Sequence, residues 1–208
     1  MFHEVQTVVA MNAEVTVESI TGAINDLRSI DEDDVAVIFF AGHGVKDKDG
    51  TFYFLTSEGS LEDLEKGGIS WNLLRDALAG IKGRVVLFLD ACHSGSITTE
   101  TVVPNDELAQ TFFSGKHSGV MVFSASKGRQ YSLESPDIGG GFGIFTYALV
   151  QGLGQESNQA DINGNEYVEF LELVDYVSRY VHRRTGGEQT PWLSRKELFG
   201  DLPIAAAQ

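Results

Sequence analysis

Three short, unbroken apolar runs constrain this chain most: Val35–Phe40 (VAVIFF), Arg84–Leu89 (RVVLFL) and Gly119–Phe123 (GVMVF). Such runs, rich in Val, Leu and Phe, read as strands covered on both faces, the mark of a parallel sheet. Stretches of helical spacing alternate with them. Thr16 to Ile30 carries Val17, Ile20, Ala23, Ile24 and Leu27 at helical intervals, with Thr16 as N-cap. Ser70 caps a second helix through Leu73, Leu74, Ala77 and Leu78, ended by Gly80, and Phe142–Leu153 and Phe170–Arg183 read as further helices. Glu4–Met11 reads as one more β-branched strand, and Phe52–Leu55 as a short strand or hairpin arm. The alternation predicts an α/β fold with a mainly parallel sheet, in a single domain over residues 4–200. The polar stretch 94–118 is too long for an ordinary connection and is expected to be an inserted, cleavable loop. Residues 201–208 form a tail, with Ala205–Gln208 expected to be loose.

Composition removes several alternatives. With 42% hydrophobic and 22% charged residues the chain is not intrinsically disordered. No apolar run approaches the roughly 18 residues of a membrane span. The opening MFHEVQTVVAM lacks the basic start and long apolar stretch of a signal peptide, so a cytoplasmic location is expected. Cys92 is the single cysteine, which rules out an internal disulfide and a thiolate zinc cluster within one chain. The 15 Lys and Arg stand against 30 Asp and Glu, a net charge of −15. That field repels phosphate backbones, so no nucleic-acid partner is expected. It favours cationic partners or substrates, although solubility alone is the plainer reading.

Ligands of open α/β sheets bind beyond the carboxyl ends of the strands. VAVIFF runs into Ala41-Gly42-His43-Gly44, and RVVLFL into Asp90-Ala91-Cys92-His93-Ser94-Gly95. A histidine and the only cysteine therefore each follow a buried strand, and neighbouring strands would bring them to one rim. A thiolate attacks a carbonyl where a thiol barely does. An imidazole within reach takes the thiol proton and later returns it to the leaving amine. Gly42 and Gly44 allow a sharp turn around His43, after which the Gly44 and Cys92 N–H groups can face a developing oxyanion. Taken singly, such a cysteine is more often a small buried hydrophobe and such a histidine a turn residue. It is the pair, at equivalent ends of two apolar runs, that is specific.

At these residues the chain resembles caspase-like cysteine peptidases of the metacaspase or bacterial orthocaspase branch. The matching segments are VAVIFFAGHG, RVVLFLDACHSGS, VMVFSASKGRQYSLES, GGGFGIFTYALVQGL and GEQTP, spread from Val35 to Pro191. Cys92 follows His43 by 49 residues, and the caspase histidine lies about 50 residues upstream of its cysteine. The resemblance implies a caspase-like three-layer sandwich that hydrolyses peptide bonds of proteins or peptides, with His43 and Cys92 as its dyad and no cofactor required. In caspases the residue two before the cysteine is glutamine. Here it is Asp90, and His93-Ser94 follow the cysteine as in the metacaspase group. In that group an aspartate at this position lines the pocket for Arg or Lys, so Asp90 is the expected partner of a basic side chain. Glu134 aligns with the second acid of that pocket, in place of the usual aspartate.

Four further expectations follow. Asp161, Asn163, Asn165 and Glu172, with Glu169, approach the spacing of an EF-hand loop, but Glu166 stands where that loop turns on glycine, so a plain acidic loop is favoured over calcium. The acidic run that binds calcium in metacaspases corresponds to Ser70-Trp71-Asn72 here, which favours calcium independence. Caspase-like domains usually begin with a central strand ahead of the segment aligned with Glu4–Met11. The sequence starts too late to include it, so a fragment, a second chain supplying that strand, or a rearranged sheet is expected. Self-cleavage within 94–118 would fall after Lys116, the only basic residue there.

His93 reads as structural, because consecutive strand-end residues point apart. His3, His117 and His182 show no metal-ligand spacing, and Ser94 lacks the nucleophile elbow of serine hydrolases. Trp192 reads as core or loop aromatic before groove wall. A catalytically silent caspase-like interaction module, or a fragment needing a partner chain, is the alternative of another class. A nucleotide-binding domain ranks last, since no G-x-G-x-x-G follows a strand.

Overall fold

A computed structural model of the chain describes residues 2–60, 62–91, 119–127, 132–133, 141, 143–194 and 202–208. In chain order its elements are α1 (Val17–Leu27), β1 (Val35–Gly42), β2 (Gly44–Lys46), β3 (Phe52–Leu55), α2 (Leu64–Gly67), β4 (Gly68–Ser70), α3 (Trp71–Leu78), β5 (Arg84–Ala91), β6 (Val120–Ser124), α4 (Ile144–Leu153), α5 (Ser157–Ala160), β7 (Tyr167–Glu169), α6 (Phe170–Thr185), β8 (Trp192–Ser194) and β9 (Pro203–Ala206). The three apolar runs become β1, β5 and β6. They lie side by side in the order β1-β5-β6-β8, the first three parallel and β8 antiparallel. The expected α/β architecture with a mainly parallel central sheet is present.

Alternation along β5 and β6 builds the layers. Val85, Leu87 and Leu89, with Val120 and Val122, face α1 and α3, where Ile20, Ile24, Trp71, Leu74 and Leu78 are buried. Val86 and Phe88, with Met121 and Phe123, face α4 and α6 and meet Phe145, Ala148, Leu149, Phe170, Leu173 and Val177. A two-residue period on a sheet covered from both sides yields one continuous apolar run, the signal read from the sequence. The helix starts follow their caps: Thr16 Oγ1 accepts the Ser19 N–H at 3.0 Å, and Ser70 Oγ accepts the Leu73 N–H at 3.3 Å.

Three expectations are corrected. Glu4–Met11 is not a strand; Val5, Val8 and Val9 are 77%, 73% and 65% exposed. A β-branched segment becomes a strand only beside a neighbour that takes its N–H and C=O groups. Nor is β1 covered on both faces. Ala36, Ile38 and Phe40 join the layer under α1 and α3, but Val37 and Phe39 are 51% and 46% exposed. Among the described residues β1 pairs with β5 alone and is an edge strand. Finally, the C-terminal residues are docked: β9 pairs with β7, and the Gln208 N–H donates to Ser157 Oγ at 2.9 Å. The proposed cleavable loop 94–118, Lys116 within it, lies outside the described residues.

Candidate active site

The parallel register of β1 and β5 sets Ala41 against Asp90 and Gly42 against Ala91. His43 and Cys92 are the residues that come next in the sequence. Cys92 itself lies outside the described residues, as does Glu134. The two strand tips that carry the expected dyad are thus hydrogen-bonded neighbours ending at the same level.

His43 is exposed in the step from β1 to β2. Its main chain is anchored, since its C=O accepts the Leu55 N–H at 2.9 Å. That bond makes Gly44 and Phe54 a non-hydrogen-bonded pair of the β2–β3 ladder, so the Gly44 N–H is directed away from β3. Gly44 is also sterically required. A Cβ there would lie 2.1 Å from Cζ of Phe52, a ring packed edge-on against Phe54 and Trp71. Gly44→Ala is expected to lower stability by about 1–3 kcal/mol through overpacking, as read from urea unfolding.

Asp90 continues the alternation of Val86 and Phe88 and therefore turns toward α4. It is 3% exposed. Ser132 Oγ donates to its Oδ1 at 2.6 Å, and Thr146 Oγ1, in the first turn of α4, donates to its Oδ2 at 2.5 Å. Gly143, the N-cap of α4, permits this approach: a Cβ there would stand 2.9 Å from Oδ2. A buried carboxylate needs such partners. Ser132 and Thr146 thus set one hydroxyl on each of its two oxygens. Ser132 and Thr146 were not singled out from sequence as site residues. They lie within quoted segments, SASKGRQYSLES and GGGFGIFTYALVQGL, but 42 and 56 residues from Asp90, and spacing does not signal such a contact.

Behind Ser132 stands Gln189, fully buried. Its Oε1 accepts the Leu133 N–H and its Nε2 donates to the Ala125 C=O, each at 2.8 Å. Trp192, on β8, packs partly buried against the layer under α1 and α3, in line with its reading as core.

The loop after α5 is a separate cluster. Asp161 Oδ1 accepts the N–H groups of Gly164 and Asn165, and its Oδ2 that of Glu166. Glu172 Oε1 accepts those of Ile162 and Asn163, and Asn163 and Asn165 both donate to Glu169. Glu166 takes a left-handed φ of 70°, so the sharp turn that its bulk was expected to resist is made. A hydrogen bond from Glu172, joined by those of the asparagines, holds Glu169 below the usual carboxylate range; burial, then Glu169, holds Glu172 above it. Among the described residues no group of three or more His, Cys, Asp or Glu is placed to hold a metal ion. Nor is any helix there long and apolar enough to cross a membrane.

A family model described as the caspase domain matches residues 1–203. No curated protein matches the chain significantly. Among solved structures, the crystal structure of protein GSU0716 from Geobacter sulfurreducens is similar in fold, with a TM-score of 0.58 and 16% identity, over 91% of this chain and 77% of that one.

Proposed function

The chain belongs to the caspase-domain family of cysteine peptidases, and from that premise we propose that it is a cytoplasmic endopeptidase of the metacaspase or orthocaspase branch that cuts after Arg or Lys. In this reading His43 takes the Cys92 proton, and the thiolate sulfur attacks the scissile carbonyl carbon. The oxyanion is met by the Gly44 and Cys92 N–H groups. On collapse the carbon–nitrogen bond breaks, and the imidazolium gives its proton to the leaving amine. Water, deprotonated by the same imidazole, then hydrolyses the thioester and frees Cys92. Asp90, with Glu134, takes the basic side chain before the cut bond. No step needs a metal or cofactor.

The in-register pairing of β1 with β5 carries the reading, because it sets the residue before His43 beside the residue before Cys92. The orientation of Asp90 toward Ser132 and Thr146, on the same tip of β5, supports an acidic subsite next to the nucleophile. The half-exposed Val37 and Phe39 favour one alternative, a silent module or fragment that needs a second chain to add a strand along β1. One assay separates the two: fluorogenic peptides ending in Arg, Lys, Asp or Ala, given to the wild type and to Cys92→Ala, with and without calcium. The peptidase reading expects hydrolysis of the Arg and Lys peptides by the wild type alone, in either buffer. Wild-type chain inert toward all four peptides defeats it.

A further inference from the structure

A glutamine amide that is entirely buried has to be matched at both ends, or its desolvation goes uncompensated. Gln189 is 0% exposed, and its partners are main-chain groups from two distant parts of the chain. Its own N–H donates to Thr185 Oγ1 at 3.2 Å, which ties it to the end of α6. The Ala125 C=O that it binds belongs to a residue whose N–H donates to the Leu89 C=O at 2.9 Å, one residue before Asp90. Leu133, its other partner, gives its C=O to the Ile144 N–H at 3.0 Å, at the start of α4. Gln189 thus joins the tips of β5 and β6 to the segment that carries Ser132 and to the helix that carries Thr146.

We propose that Gln189 is a positioning residue for the basic-residue subsite: by holding Leu133 it sets Ser132 Oγ on Asp90 Oδ1 and fixes the plane of that carboxylate. This rests on the role given to Asp90 above. Thr146 sits on a helix and keeps its grip on Oδ2. Ser132 is held through the backbone of Leu133, so releasing the Leu133 N–H leaves that segment on its Ile144 bond alone and loosens the Ser132 contact that orients Oδ1. A carboxylate less firmly fixed in its plane presents its two oxygens together less well. Arginine, which binds carboxylates with a two-pronged planar fork, loses more than lysine, a compact point charge.

The test is the ratio of kcat/KM for matched Arg and Lys peptides. Gln189→Met, an unbranched side chain of similar length without the amide, is expected to lower kcat/KM about tenfold for Arg and about threefold for Lys. In a Ser132→Ala background the same change is expected to add no further shift in the ratio, because Gln189 acts through Ser132. The rate at which iodoacetamide alkylates Cys92 should match wild type, showing the nucleophile untouched. Gln189→Glu, which keeps an acceptor for the Leu133 N–H, should restore the wild-type ratio even at a lower melting temperature. An unchanged ratio in folded Gln189→Met overturns the inference and leaves the peptidase assignment standing. If Gln189→Met does not fold, Ser132→Ala alone must reproduce the lowered ratio, and its failure to do so is equally decisive. A wild type that cleaves neither peptide overturns both.

Discussion

His43→Ala is expected to cut kcat/KM for an arginyl peptide by at least about 1000-fold, within the range for loss of a general base that also activates the nucleophile. The side chain is exposed, and the position is held by its backbone C=O on the Leu55 N–H, which alanine keeps. The loss should therefore appear in kcat with the melting temperature nearly unchanged. Cys92→Ala should do at least as much damage, and the double variant little more, since the two groups act as a unit. In His43→Ala the remaining rate should climb with pH, as hydroxide replaces the imidazole in making thiolate. A variant within tenfold of wild type would remove the imidazole from the mechanism.

The second large effect is expected at Asp90. Asp90→Asn keeps the shape of the side chain and one oxygen. The Ser132 and Thr146 hydroxyls can rotate to accept from an amide as well as donate to an oxygen, so the local fold should survive. The negative charge does not survive. Loss of a charge-assisted contact with an arginine is expected to lower kcat/KM about 100-fold, or about 2.7 kcal/mol. A neutral side chain of similar length, such as citrulline, should lose far less, so the ratio of the two substrates collapses. Kinetics on that pair of peptides, with urea unfolding as the control for folding, decide the matter. Retention of the arginine preference would move the subsite away from Asp90.

The parts of the fold that were legible are those where one residue type repeats with one period. RVVLFL and GVMVF each show a single apolar surface because two helical layers share them, Leu87 on one side and Phe88 on the other. The strand-end placement of His43 and Asp90 followed from the same runs. What was not legible depends on neighbours. VAVIFF looks like its companions, yet Val37 and Phe39 stand half exposed, because hydropathy reports what a strand could bury and not what lies beside it. EVQTVVAM fails as a strand for the same reason. The short β8 and β9 have too few residues for a period to emerge, and their places come from pairing with β6 and β7. The hydroxyls on Asp90 and the amide behind them were hidden because each contact spans more than 40 residues of chain, which no local pattern encodes.

The docking of β9 onto β7 has a consequence for how the molecule is made. Val168 faces Ala205 across that ladder, and Leu202, 3% exposed, fills the layer between the sheet and α6. While the chain emerges from a ribosome, the half of the core under α1 and α3 can close early, but the half under α6 waits for residues beyond 200. The nascent chain therefore carries an open apolar face until residues beyond 200 have emerged, and the hydroxyls around Asp90, of which that of Thr146 rides on the adjoining helix, become rigid only then.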